Sequence, residues 1–142
     1  MGKGVVVGYD GSDCAKAALA VALEIAQSRG EKLVIAFAYE LNQAIGEIGD
    51  YHHALEELAQ SRLQEGAALV ADSGVEIEAV IMEEAPARAL VDLANVHDAR
   101  MIVVGTRGEH PLHGALIGST PQKLMHLSER PVLVVPLAHQ AL

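Results

Sequence analysis

Gly105-Thr106-Arg107-Gly108 closes an apolar run, and Gly118-Ser119-Thr120-Pro121 follows after nine further residues. Glycines at 105 and 108 allow positive φ or a close ligand approach. The 118–121 segment reads as the capped start of a helix whose open N–H groups face outward. A strand end, a loop of bare amides and a helix N-terminus together suit an anion, phosphate above all. Ser119 is a candidate N-cap, a role that does not compete with its hydroxyl or amide meeting a phosphate. Of the nearby cations Arg107 and Lys123, Arg107 is the better placed to touch a ligand.

Asp10-Gly11-Ser12, which ends the apolar run Gly4 to Tyr9, is the second candidate. Asp before Gly-Ser commonly forms a turn or caps a helix; ligand contact is the alternative weighed beside it. Other chemistry-bearing residues offer less. Glu83 and Glu84 are adjacent in extended backbone and point oppositely, so they make no obvious acid/base pair. His52 and His53 do not share a helix face and are expected to be solvated. His110 and His113 are two ligands, which do not make a metal site. Cys14 sits among small apolar residues, where a thiol acts as a compact hydrophobe. No nucleophile and base can be assembled by spacing, so binding without fast turnover is the expectation.

The elements that must position these residues are legible as alternating strands and helices. Gly4–Tyr9 is a buried parallel strand. Ser12 or Asp13 caps a helix carrying Cys14, Ala18, Val21, Ala22 and Ile25 on one stripe and ending near Gly30. Lys32–Tyr39 is the second strand, and the mixed residues 40–50 read as a surface loop. A helix from Tyr51 carries Leu55, Leu58, Ala59, Leu63, Ala67 and Val70 and stops before Gly74. Val75–Met82 alternates apolar and acidic residues as a third strand with one more exposed face. Pro86 opens a helix with Ala87, Leu90, Val91 and Ala94 inward. Arg100–Gly105, a helix from about Pro121 to Ser128, and Pro131–Pro136 complete five strands and four helices.

This alternation predicts right-handed crossovers and an open parallel sheet covered on both faces, with order 3-2-1-4-5 over one domain, residues 1–142. Ligands in such sheets bind beyond the carboxyl ends of the strands where the order reverses. The loops at Asp10 and Gly105 would then share one crevice.

Composition bounds the partners. The chain has 142 residues, 51% of them apolar but only 3% aromatic, so aliphatic side chains must fill the core. A net charge of −9 with ten Lys and Arg argues against nucleic acid and against an anionic membrane surface. A mononucleotide is still compatible, since a few amides and a divalent cation can hold its phosphates. The sequence shows no leader-like start, no membrane-length apolar run and no partner for Cys14, which favours the cytoplasm.

The glycine spacing is neither a Walker A loop nor a dinucleotide fingerprint. Placed after the fourth of five strands, however, Val103-Val104-Gly105-Thr106-Arg107-Gly108 and Gly118-Ser119 resemble the universal stress protein family of the ATP-binding type. The opening Val6-Val7-Gly8-Tyr9-Asp10-Gly11-Ser12 and the closing Pro-Val-Leu-Val-Val strand carry the resemblance over nearly the whole chain. It implies a Rossmann-like fold akin to the adenine nucleotide alpha hydrolases. Gly105, Thr106, Arg107, Gly108, Gly118, Ser119 and Thr120 would lie around phosphates and ribose, and Asp10, with Gly11 and Ser12, would meet adenosine. Ala38 and Tyr39 would give backbone contacts to adenine, and Met82 would wall the pocket. The cofactor implied is ATP or another adenine nucleotide, with Mg2+ or Mn2+ held through the phosphates.

The resemblance also implies a stress-response regulator and a homodimer through the fifth strand, at Val132 and Val134. Thr120-Pro121 and the histidines between Gly108 and Gly118 depart from the family pattern. Two alternatives stand beside this reading. One is a slow ATPase or other adenine-nucleotide enzyme, disfavoured because the adenylating relatives' Ser-Gly-Gly-x-Asp-Ser loop is absent. The other is a dimeric interaction module that binds no nucleotide.

Overall fold

A computed structural model describes residues 4–40, 48–107 and 117–137. The elements run β1 (Val5–Gly8), α1 (Asp13–Arg29), β2 (Leu33–Tyr39), α2 (Ile48–Leu69), β3 (Ile77–Glu83), α3 (Pro86–Val96), β4 (Met101–Gly105), α4 (Ser119–Leu127) and β5 (Val132–Val135). All strand pairings are parallel and the sheet order is β3-β2-β1-β4-β5, the order expected from the alternation.

The period-two pattern of the strands divides the core in two. Val5, Val7, Leu33, Ile35, Phe37 and Val103 face α1 and α2 with Ala18, Leu19, Ala22, Ala59 and Leu63. Val6, Val34, Ala36, Ile102 and Val104 face α3 and α4 with Leu90, Leu93, Ala94 and Leu124. The central strands are thus apolar on both sides, which is why they read as continuous runs rather than alternations. At the edge, β3 shows the more exposed pattern expected of it, with Glu78, Ala79 and Glu83 in solvent.

Three boundaries differ from expectation. α2 begins at Ile48, inside the stretch read as a loop, and carries Asp50 in its first turn, where a carboxylate complements the helix dipole. Residues 41–47 lie outside the described residues. α2 also ends at Leu69, with a turn rather than helix leading to Gly74. α4 begins at Ser119, so Gly118 rather than Ser119 is its N-cap.

The amino ends of the strands are tied by an ion pair that sequence spacing does not reveal. Arg100 Nε and Nη2 donate to Glu31 Oε1 and Oε2 at 2.9 and 2.8 Å, while the Arg100 backbone N–H donates to the Gly4 carbonyl at 2.8 Å. The Glu31 side chain is 15% exposed, and the guanidinium hydrogen bonds hold its carboxyl below the usual carboxylate range. A depressed carboxyl stabilises the fold fully above its unfolded value, roughly pH 4.3, and loses that effect as pH falls through the folded value. Glu31→Gln should therefore lower Tm by a few degrees at pH 7. The gap between variant and parent should close in acid, which thermal melts across a pH series would reveal.

Candidate functional site

The carboxyl ends of β1, β2 and β4 meet the first turns of α1, α3 and α4 at a cleft of about 160 Å³. Its apolar part is made by Ala36, Ala38, Pro86, Leu90, Val104 and Pro121, with Gly8 keeping the floor low. Its polar part is Asp10, Arg107 and Thr120. This is the crevice where the strand order reverses, and the Asp10 and Gly105 loops both border it.

Asp10 leaves β1 in an Asx turn: its Oδ1 accepts the Ser12 N–H at 2.9 Å. Ser12 is the N-cap of α1, its Oγ accepting the Ala15 N–H at 3.1 Å. Asp10 is thus both turn-former and cleft residue. Gly11 takes φ +87°, which favours glycine; a Cβ there would also come within 2.7 Å of Cδ of the flexible Arg62 side chain, which would have to shift. Behind it, buried Tyr9 donates from its hydroxyl to Glu65 Oε1 at 2.9 Å. Burial first, and then this hydrogen bond, raise the Tyr9 pKa far above its ordinary value. Gly66 lets the ring in, since a Cβ would stand 3.0 Å from Tyr9 Cε2.

On the β4 side, Thr106 N–H donates to the Val135 carbonyl at 3.2 Å, and Thr106 Oγ1 lies 3.7 Å from the buried Cys14 Sγ. The Gly118 N–H donates to the Thr106 carbonyl at 2.6 Å, docking the start of α4 onto the end of β4. Ser119 is exposed at the first helical position, while Thr120 reaches the cleft. Gly108, His110 and His113 lie outside the described residues.

Gly105 has a packing role that the sequence reading did not give it. A Cβ there would sit 2.7 Å from the Cys14 carbonyl oxygen and 2.8 Å from its carbon, both backbone atoms of α1. The glycine is needed for the helix to lie on the strand, whatever the cleft holds.

On β2, Ala38 lines the cleft, whereas Tyr39 packs on the opposite face against Phe37. Its hydroxyl donates to Glu83 Oε1 at 3.1 Å, and burial followed by that bond pushes its pKa up to about 12. Met82, in register with Ala38, packs on the core facing α3 and is not among the cleft-lining residues. His52 keeps 37% of its side chain exposed, while its Nε2 contacts Glu83 and its ring stands 6.4 Å from that of Tyr39. His53 is paired with Glu57 at 3.0 Å on the exposed helix face. Glu84 is separate from Glu83, and a hydrogen bond with Asp92 raises its pKa. Lys123 is exposed on α4. No group of three or more metal-ligating side chains occurs among the described residues.

Sheet order and cleft define an α/β protein with a cleft at the switch point of a parallel sheet. The universal stress protein family model matches residues 1–136, and the chain belongs to that family. A universal stress protein of Thermus aquaticus is 36% identical over 137 residues, 95% of this chain and 99% of the relative. A universal stress protein solved in complex with cAMP is 32% identical, with a TM-score of 0.74 over 96% of this chain and 98% of its own. In fold the chain also matches the Archaeoglobus fulgidus universal stress protein solved with dAMP. That likeness has a TM-score of 0.71 at 23% identity over 94% and 97% of the two chains.

Gly105→Ala should destabilise the protein by about 1–3 kcal/mol or more, because the clash is with backbone that cannot yield. Gly8→Ala should cost less, since its Cβ would meet the movable Leu90 Cδ1 at 3.1 Å. Urea unfolding of both variants without ligand tests the order. Equal losses would remove the packing role assigned to Gly105.

Proposed function

We propose that this universal stress protein domain, spanning residues 1–142, is a regulatory binder of adenine nucleotides. The observation that carries this is the cleft itself: a slot between apolar Ala36, Ala38, Leu90 and Val104, bordered by Asp10, Arg107 and Thr120. The slot suits a flat purine, and the arginine and the start of α4 suit a phosphate. The cAMP complex of a relative 32% identical to this chain supports the same class of ligand.

In this reading Ala38 and the β2 backbone at Tyr39 face adenine, and Asp10 with its Gly11-Ser12 turn meets ribose. Thr106, Arg107, Gly108, Ser119 and Thr120 surround phosphate, while Gly105 and Gly118 act as spacers. Met82 supports the wall from behind. ATP with Mg2+ or Mn2+, implied by the family resemblance, would bring its ion on the phosphates. The polar set at the cleft holds charge, and we assign it no turnover. A cytoplasmic location suits both the ligand and the lone thiol of Cys14.

Excess adenine nucleotide should raise Tm, since a ligand at a hundred times its Kd stabilises by about 2.7 kcal/mol. Arg107→Gln and Thr120→Val should keep the ligand-free Tm and lose most of the rise. A melting curve unmoved by ATP with magnesium, AMP and cAMP alike would end this reading.

We further infer a homodimer through β5. Among the described residues this edge strand pairs only with β4, and its half-buried Val132 and Val134 are flanked by exposed Leu133 and Leu137. Sedimentation should give twice the chain mass at micromolar concentration, and the double variant Val132→Glu, Val134→Glu should halve it. A native monomer would remove the assignment.

A further inference from the structure

We propose that Arg62 of α2 is a positioning residue for the nucleotide: it holds the Asp10-Gly11-Ser12 turn in the shape that meets the ligand, without touching the ligand itself. The proposal rests on the adenine-nucleotide reading above and adds to it a residue from outside the cleft.

The turn pivots on Gly11, whose φ of +87° is one of several conformations open to a residue without a Cβ. The Asx bond between Ser12 and Asp10 shapes the turn from within, and it would travel with the turn if the whole loop moved. Arg62 supplies the outer stop. Its Cδ, Nη1 and Nε stand 2.7, 2.9 and 3.1 Å from where a Cβ of Gly11 would be, so stem and guanidinium fill the space on that side of the glycine. The Arg62 Nε is itself buried, which marks a side chain packed in place rather than one trailing in water.

Arg62 acts from a firm base. Positions 62, 65 and 66 share one face of α2 by the i, i+3 and i+4 spacing, and all three meet the same corner of the fold. Glu65 accepts the Tyr9 hydroxyl at 2.9 Å and pairs with Lys16 of α1 at 3.8 Å, while Gly66 admits the Tyr9 ring. α2 therefore grips the residue before the turn, the glycine within it and the helix after it. The charge is placed to the same end: at the Tyr9 hydroxyl the guanidinium opposes the field of both Glu65 and Asp10. None of the described α2 residues lines the cleft, so the effect reaches a ligand through Asp10, which does. A turn already held in its bound shape spares the ligand the cost of ordering it.

The test is calorimetric titration of the whole chain, stripped of co-purified nucleotide, with adenosine, AMP and ATP with magnesium, at a temperature where every variant is folded by circular dichroism. Arg62→Ala should weaken all three alike by about three- to tenfold, since the turn meets the nucleoside that they share. Arg62→Lys, which keeps a long stem and the charge, should stay within about twofold of the native protein. In the ligand-free protein, hydrogen exchange of the Ser12 amide should quicken in Arg62→Ala and not in Arg62→Lys, whereas a loss of overall stability would quicken exchange throughout the core. Equal binding by the native protein and Arg62→Ala would overturn the proposal and leave the adenine reading intact. A loss confined to AMP and ATP would overturn it too, by making Arg62 a phosphate contact; if adenosine binds too weakly to titrate, the Ser12 exchange rate decides between the two. Binding of none of the three by the native protein would overturn both readings. If Arg62→Ala does not fold, Arg62→Gln is judged by the same criteria.

Discussion

The approach of α1 to β4 is the contact on which the rest of the molecule depends. With strand order β3-β2-β1-β4-β5, β1 and β4 are neighbours, and the helix that leaves β1 packs against both. Its first turn comes so near the end of β4 that the Cys14 carbonyl occupies the space a side chain at 105 would need. Such a distance leaves no slack: position 105 must be glycine. Because α1 is pinned there, the Asp10 turn that feeds it and the Gly105 and Arg107 at the end of β4 border one cleft.

The second constraint comes from behind. The Asp10-Gly11-Ser12 turn is held from its own side by the Asx hydrogen bond and the Ser12 cap, and from the other by the Arg62 side chain lying over Gly11. Tyr9 is wedged between strand and α2, its hydroxyl on Glu65 and its ring against Gly66. Buried aromatic area with a satisfied hydroxyl fixes a local geometry more firmly than a charge at the surface does. The position of Asp10 is therefore inherited from a helix that is remote in sequence and has none of its described residues in the cleft lining.

This division explains what the sequence disclosed. Apolar runs such as Val5-Val6-Val7 and Ile102-Val103-Val104 announce strands buried on both faces, and the alternation with helices leaves few topologies open. The two loops at the switch point follow from that order alone. Long-range side-chain pairs are different, because Arg62 over Gly11, Glu65 on Tyr9 and Arg100 on Glu31 carry no local pattern. Tertiary contact also adds what local pattern does not show. His52, 37% exposed, meets Glu83 and Tyr39 at the end of the neighbouring strands, and the Tyr39 and Met82 side chains pack on the core by the alternation along β2 and β3. The N-cap of α4 falls on Gly118 rather than Ser119, in extended backbone whose N–H is already bonded to Thr106.

That last bond shows how firmness and capacity oppose each other at one helix start. Docking α4 on β4 through Gly118 and Thr106 fixes the cradle, and Pro121 stiffens the first turn by holding φ near −65°. Both devices act by removing an N–H from the set that a helix N-terminus would otherwise offer. A chain of positive charge could make up the loss with lysines and arginines. In one that carries −9, the alternative is to rely on a few aligned dipoles, whose reach does not extend beyond the first turn.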